Sequence, residues 1–286
     1  MPKAPYELSM PDARTTSVIF ASPHSGRVYP RAFLRASVLD ERTIRSSEDM
    51  YVDRLFADAP AFGAPLLAAT APRAYIDLNR GADELDPAVV KGTPNPGRNP
   101  RVASGLGVIP RVVASGRAIY RGHVSRAEAE ERIARFWRPY HDRLGRLMAE
   151  SHRRFGQAIL IDCHSMPHEA ACGIRPRGAA VPDVVLGDRF GVSAAGAVVD
   201  RIEAAFRGAG LNVVRNAPFA GAYIVGRYGC PSAGRHAVQV EIDRSLYMDE
   251  ARFRPNRNFA AFRRLISGIA CELAAIGRPE LRLAAE

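Results

Sequence analysis

Metal-competent and titratable side chains stand in this sequence where buried strands would call for apolar ones. They are His24 in SPHSGR, Glu48 and Asp49 in SSEDMYVD, Asp162 and His164 in IDCHSMP, and Glu241 in VQVEIDR. Two imidazoles and one carboxylate make the three-ligand set of a hydrolytic zinc site, with a fourth position open to water. Such an ion lowers the pKa of its water toward about 7 and polarises a scissile carbonyl. The reaction also needs a carboxylate outside the ligand set, to take a proton from the water and pass it to the leaving nitrogen. Glu241 suits that work, because partial desolvation among Val and Ile raises a carboxyl pKa. Left ionised and unpartnered inside a strand it would cost several kcal/mol, so it needs a partner or a task.

Each residue has an ordinary use as well. A single His past a strand end is commonly a hydrogen-bonded structural residue. Glu48 and Asp49 follow Ser46 and Ser47 and would fit the first turn of a helix, and which of the two carboxylates binds a metal stays open on this reading. Asp162 would serve equally as the group that orients an imidazole. Arg80, Arg175 and Arg244 lie near the same segments, and a guanidinium offers a planar fork to a carboxylate ligand. With 40 Lys and Arg in the chain, however, some arginine falls near any site by chance. His168 lies close to His164, whereas His141 and His152 sit in an Arg-rich stretch and read as surface residues. Nucleophilic catalysis has less behind it. There is no GxSxG elbow, and Cys163 and His164, adjacent on a strand, point to opposite faces.

The elements around these residues read as an α/β fold. TSVIFAS (16–22) and QAILIDCHSMP (157–167) are buried strand runs, each with a His at or just past its end and then or before it a Pro. The unbroken apolar run 158–161 is what a central parallel strand needs when helices cover both faces. Further strands are expected at 65–71, 211–216 and 236–247, and the alternation of Tyr75, Asp77 and Asn79 with Ile76 and Leu78 predicts a half-buried strand over 73–80. Helices are expected in the 50–59 region and over 192–209 and 256–276. Another runs from Ser125, which forms a capping box with Glu128, to about Arg154, with a kink or break at Pro139. Residues 83–118 carry most of the Gly and Pro punctuation and predict a long functional loop. Alternating strands and helices imply a mostly parallel central sheet flanked by helices, with ligands collecting at the carboxyl ends of the strands. His24 and His164 could therefore meet there.

A chain of 286 residues can bury a full core, and one domain spanning 1–286 is expected. No stretch approaches the roughly 18 apolar residues of a membrane span, and the first residues have no apolar signal region, so the expectation is a cytoplasmic protein without membrane partners. The four cysteines form no CxxC pair and read mainly as small buried hydrophobes. The net charge of +10 raises the question of nucleic acid. The basic residues are nearly all Arg and are interleaved with acids, as in RAEAEERIARFWR, which is the pattern of a solvated helix face. No nucleic-acid partner is expected, and a positive field instead favours capture of a small anion.

Seven ordered blocks then add a resemblance that covers nearly the whole chain. SPHSGRVYP, SSEDMYVDRLF, ATAPRAYIDLNR, LIDCHSMP, PDVVLGDR, PFAGAYIVGRYG and HAVQVEIDRSLYMDE together resemble the N-formylglutamate amidohydrolase family. The resemblance implies a zinc carboxypeptidase/aspartoacylase-like, phosphorylase/hydrolase-like α/β fold. It also implies hydrolysis of N-formyl-L-glutamate to formate and glutamate in histidine degradation. Carried over by motif, it implies one Zn2+ per chain on His24, Asp49 (rather than Glu48) and His164, with Glu241 as general base. Asn79 and Arg80 of DLNR and Arg244 would contact substrate, and Arg175 is a further candidate by its place after the His164 loop. Ala71, Pro72 and Ala222 depart from the family pattern in expected pocket walls, so a related zinc amidohydrolase acting on another N-acyl amino acid or a short peptide is the alternative. An acid-metabolite binding protein without catalysis is a rival of another class.

Overall fold

The computed structural model describes residues 4–94, 99–113, 116–173 and 180–279. Its centre is a seven-stranded sheet of β1 (Tyr6–Ser9), β2 (Val18–Ser22), β3 (Leu66–Ala69), β4 (Ala158–Met166), β5 (Val184–Gly187), β6 (Val213–Arg215) and β7 (Arg235–Asp243), in the order β1-β3-β2-β4-β7-β5-β6. The pairs β3/β2, β2/β4, β4/β7 and β5/β6 are parallel, while β1/β3 and β7/β5 are antiparallel. The mostly parallel sheet flanked by helices is thus present. The helices in chain order are α1 (Arg31–Ala36), α2 (Val52–Leu55), α3 (Pro100–Ala103), α4 (Arg126–Arg132), α5 (Arg138–Phe155), α6 (His168–Gly173), α7 (Gly196–Gly208), α8 (Tyr223–Tyr228) and α9 (Phe259–Ile276).

Side-chain alternation in the strands splits the core into two layers. Val18 and Phe20, Ile159, Ile161 and Cys163, and Val238, Val240 and Ile242 face α7 and α9. Ile19 and Ala21, Ala158 and Leu160, and Ala237 face α5 and α8. On that second face the two central strands change character along their length. After Leu160 the same row of β4 continues with Asp162 and His164, and after Ala237 the row of β7 continues with Gln239 and Glu241. Parallel register places His164 beside Glu241. The apolar half of each strand anchors it, and the polar half forms the floor of a site at the carboxyl edge.

Helix α4 begins as its sequence requires, with the Ser125 Oγ accepting from the Glu128 N–H at 3.1 Å. The disturbance expected at Pro139 takes the form of a π-helical turn, Ile133–Trp137, after which Pro139 falls in the first turn of α5, where its missing N–H costs little. The expected strand over 73–80 does not form, and the segment runs as successive turns. Ile76 and Leu78 enter the core, but Asp77 and Asn79 turn to the site and spend their polar atoms there. The apolar run at 50–59 gives only α2 and a 3-10 turn, Ala59–Phe62.

The turn after β2 is held by a close backbone approach. A Cβ on Gly26 would stand 2.0 Å from the Ala71 carbonyl oxygen. Gly26→Ala is therefore expected to push the β2 turn away from residues 70–71, at a stability cost of about 1–3 kcal/mol, read as a lowered thermal midpoint. An unchanged midpoint would show that the two segments separate freely.

Candidate metal centre

His24 sits in the turn beyond β2, Asp49 in the segment before α2, and His164 in β4. The fold brings these three distant positions together. One ligand-capable atom from each lies within 4.8 Å of the others, and all three residues are buried. The Asp49 Oδ2 is 3.0 Å from His164 Nδ1 and 3.4 Å from His24 Nδ1. The His24 carbonyl accepts from the Asp49 N–H at 3.0 Å, so the turn that carries one ligand candidate positions the next. The imidazole centroids are 4.8 Å apart at 71°. Glu48, the other carboxylate of the pair, is engaged elsewhere, with Tyr29 Oη donating at 2.6 Å and Arg45 Nε at 3.0 Å.

Buried carboxylates behind the rings orient them. His24 donates from Nε2 to Asp77 Oδ1 at 2.7 Å, and His164 Nε2 lies 3.0 Å from Asp162 Oδ2. With the His24 Nε2 proton on Asp77, the Nδ1 lone pair of that ring turns toward Asp49, while His164 Nδ1 is hydrogen-bonded to Asp49 Oδ2 at 3.0 Å. Asp77 is fixed in turn by Arg73 Nε at 3.0 Å and by the Asn79 N–H at 2.8 Å. Arg244 donates from Nη2 to Asp49 Oδ1 at 2.9 Å and from Nε to Ser165 Oγ at 3.1 Å. It also donates from Nη1 to the Ser46 carbonyl at 3.4 Å.

The electrostatics fit a cation at the centre. Burial alone would raise Asp49, but the hydrogen bond from His164 and the neighbouring His24 imidazole hold it well below the usual carboxylate range. Burial would likewise raise Asp77, and the nearby Arg73 and His24 overcome it. Burial would lower His164, yet Asp162 and Asp49 push it well above the usual imidazole value. In the metal-free cluster a proton thus offsets the carboxylates, a role that a divalent ion would take over on binding. His24 Nδ1 is the atom that tests the fit: it is buried and has no hydrogen-bond partner among the described residues. An orphaned, correctly oriented imidazole lone pair beside a carboxylate and a second imidazole nitrogen is a donor set for an ion such as zinc.

Glu241 lies on the same floor. Burial pushes its pKa up to about 7, opposed by His164 and aided by Asp49. Gln239 donates from Nε2 to Glu241 Oε1 at 2.7 Å, and Asn79 in turn donates from Nδ2 to Gln239 Oε1 at 3.2 Å. The cavity above has a volume of about 560 Å³, and its walls include Arg73, Arg80, Arg101, Phe219 and Ala222. Part of the 83–118 region, including Leu106 and Val112, lines it as well. Arg80 is buried and donates to the Leu106 carbonyl at 2.8 Å and the Asn79 carbonyl at 2.7 Å. Arg175 lies outside the described residues.

Sequence reasoning missed Asp77, Arg73 and Gln239. It also misplaced His141, which is buried on α5 rather than at the surface. Its Nε2 donates to the Leu78 carbonyl at 2.9 Å, between Asp77 and Asn79, and Trp137 Nε1 holds the Arg80 carbonyl at 2.8 Å. The π-helical turn and α5 thus clamp the segment that supplies three site residues. Burial lowers His141 to about 4. The unfolded chain, with its imidazole near the ordinary value of about 6.5, binds more protons between those limits. The neutral ring's contribution is therefore complete above pH 6.5 and is lost as pH falls toward 4, a change of about 3 kcal/mol. Urea unfolding of wild type against His141→Gln across that range is expected to show a steeper loss of stability toward pH 4 in wild type.

The comparisons with known proteins agree with this architecture. The profile of the family described as N-formylglutamate amidohydrolase matches residues 16–248. An N-formylglutamate deformylase of Pseudomonas aeruginosa strain PAO1 is 32% identical over 238 residues, 82% of each chain. One from Pseudomonas putida is 28% identical over 240 residues, again 82% of each. Among solved structures, N-formylglutamate amidohydrolase from Ralstonia eutropha JMP134 aligns with a TM-score of 0.89 at 35% identity, covering 96% of this chain and 99% of that one.

Proposed function

The chain belongs to the N-formylglutamate amidohydrolase family, and we propose that it hydrolyses the N-formyl amide of N-formyl-L-glutamate to formate and L-glutamate with one zinc ion, as a step of histidine degradation in the cytoplasm. The observation that carries the reading is the buried His24–Asp49–His164 cluster with its unpartnered Nδ1, facing Glu241 across one cavity. His24, Asp49 and His164 would hold the ion, which supplies Lewis-acid polarisation of the amide carbonyl and activation of water.

This chain's own residues do the rest. Glu241, poised near neutrality and held by Gln239, takes the proton from the attacking water and returns it to the departing nitrogen of glutamate. Arg73 uses Nε on Asp77 and keeps the rest of its guanidinium at the cavity wall, where it faces charge that develops on the amide oxygen or rests on the substrate carboxylates. Arg80 offers the substrate its remaining Nη2, while its other bonds fix the wall beside Leu106. Arg244 spends Nε, Nη1 and Nη2 on protein partners, so its part is to orient Asp49 rather than to grip substrate. Asn79 places Gln239 and, by accepting from the Ile224 N–H at 2.8 Å, ties α8 to the floor.

The test is formate release from N-formyl-L-glutamate by purified protein as loaded, after chelation, and after zinc is returned, beside N-acetylglutamate and short peptides. Chelator-sensitive turnover that zinc restores, fastest on N-formylglutamate, is the expected result. Restored turnover on another N-acyl substrate alone would keep the metal chemistry and overturn the substrate. Turnover indifferent to chelation would overturn the metal.

A further inference from the structure

The cysteines, expected to be mainly buried, differ in exposure. Cys163 is buried, but Cys172 is exposed, and Cys230 and Cys271 are half-buried. Cys172 lies on α6, the short helix that leaves the end of β4. An i, i+4 spacing on a helix stacks Cys172 over His168 on one face, and its Sγ is 3.4 Å from His168 Nε2. The other ring nitrogen of His168, Nδ1, is 2.6 Å from Asp243 Oδ2. Asp243 is buried at the end of β7 and is itself fixed, its Oδ1 accepting from the Ser245 N–H at 2.9 Å. The Ser245 hydroxyl lies 3.2 Å from His168 Nδ1, and the His168 N–H donates to Glu250 Oε1 at 3.0 Å.

This is a thiol, a base and an orienting carboxylate in series. Asp243 accepts the hydrogen bond from Nδ1–H, so the ring directs its Nε2 lone pair at the sulfur, within reach of the thiol hydrogen. Asp243 also raises the basicity of His168. Nothing else on the helix helps: Cys172 is in its last turn, where the dipole opposes a negative charge, so His168 must carry the activation. The arrangement shares no residue with the amide-cleaving centre, although Asp243 follows Glu241 by two on β7.

We propose that Cys172, activated by His168 and oriented through Asp243, is a nucleophilic modification site that reacts with small electrophiles, hydroperoxides above all, and is converted to a sulfenic acid. The Cys172 thiolate attacks one peroxide oxygen, the S–O bond forms as the O–O bond breaks, and sulfur is oxidised by two electrons while the peroxide is reduced. The departing hydroxide takes the Nε2 proton of His168 and leaves as water. Exposure of Cys172 allows the approach that this step needs.

The experiment treats the whole protein with hydrogen peroxide in the presence of dimedone, which traps sulfenic acids, and follows each cysteine by peptide mass spectrometry. A parallel series uses iodoacetamide. Cys172 is expected to label first, and His168→Asn to slow its labelling by roughly a hundredfold, the size of a general-base contribution, while Cys230 and Cys271 keep their rates as a check on folding. Equal rates at Cys172, Cys230 and Cys271 in the wild type would overturn the proposal. So would a His168→Asn protein in which Cys172 labels at the wild-type rate.

Discussion

Replacing Glu241 by Gln is expected to lower kcat for N-formylglutamate by about 10²–10⁴-fold, the contribution of one positioned general acid–base group, while zinc content and the unfolding midpoint stay close to wild type. The carboxamide keeps the shape of the side chain and can still meet Gln239, whose 2.7 Å bond to Oε1 holds the group now. What it loses is the ability to accept a proton from water and release it to the leaving nitrogen. Burial has already pushed Glu241 up to about 7, so the wild-type group exchanges a proton at small cost near neutral pH, and no amide can. The accompanying observables separate chemistry from structure. If zinc is lost together with activity, Glu241 belongs to the metal-holding set and the assignment of roles is wrong. If kcat is unchanged, the proton passes by another group, and the acid–base reading of Glu241 fails.

The parts of this molecule that were legible in the sequence are those where one physical demand dominates. The β4 run 158–161 has a single reading, since a strand covered on both faces must be apolar throughout, and the shift to Asp162 and His164 marks where the cover stops. The same logic exposes Glu241 on β7. The 73–80 segment obeys two demands at once. Ile76 and Leu78 serve the core while Asp77 and Asn79 serve the site, and that alternation imitates the period of a strand although the backbone is a series of turns. Asp77 stayed hidden for the same reason: a carboxylate that orients an imidazole 53 residues away leaves no local signature. His141 was misread from its neighbours, because arginines on one face of α5 do not reveal that the opposite face clamps the Leu78 carbonyl. The strands β1 and β5 were not foreseen, and they take their place from their partners in the sheet.

Asp49 and Glu48 are adjacent acids whose removal is expected to have opposite consequences. Asp49→Ala should leave protein that retains almost no zinc after dialysis, with turnover lost to the same extent, because it removes the carboxylate that lies 3.0 Å from His164 Nδ1 and 3.4 Å from His24 Nδ1. It also strands Arg244, whose Nη2 would lose its anionic partner in a buried position. Asp49→Asn keeps that volume and is the cleaner variant, still expected to bind zinc far more weakly because a neutral amide replaces an anionic ligand. Glu48→Ala removes the carboxylate that Tyr29 and Arg45 share and should lower stability while leaving about one zinc per chain in place. Metal analysis of the three proteins after zinc loading reads the difference directly. Zinc that stays with Asp49→Asn and leaves with Glu48→Ala would reverse the assignment, and the buried position of Glu48, turned to Tyr29 rather than to the imidazoles, is the physical reason to expect the opposite.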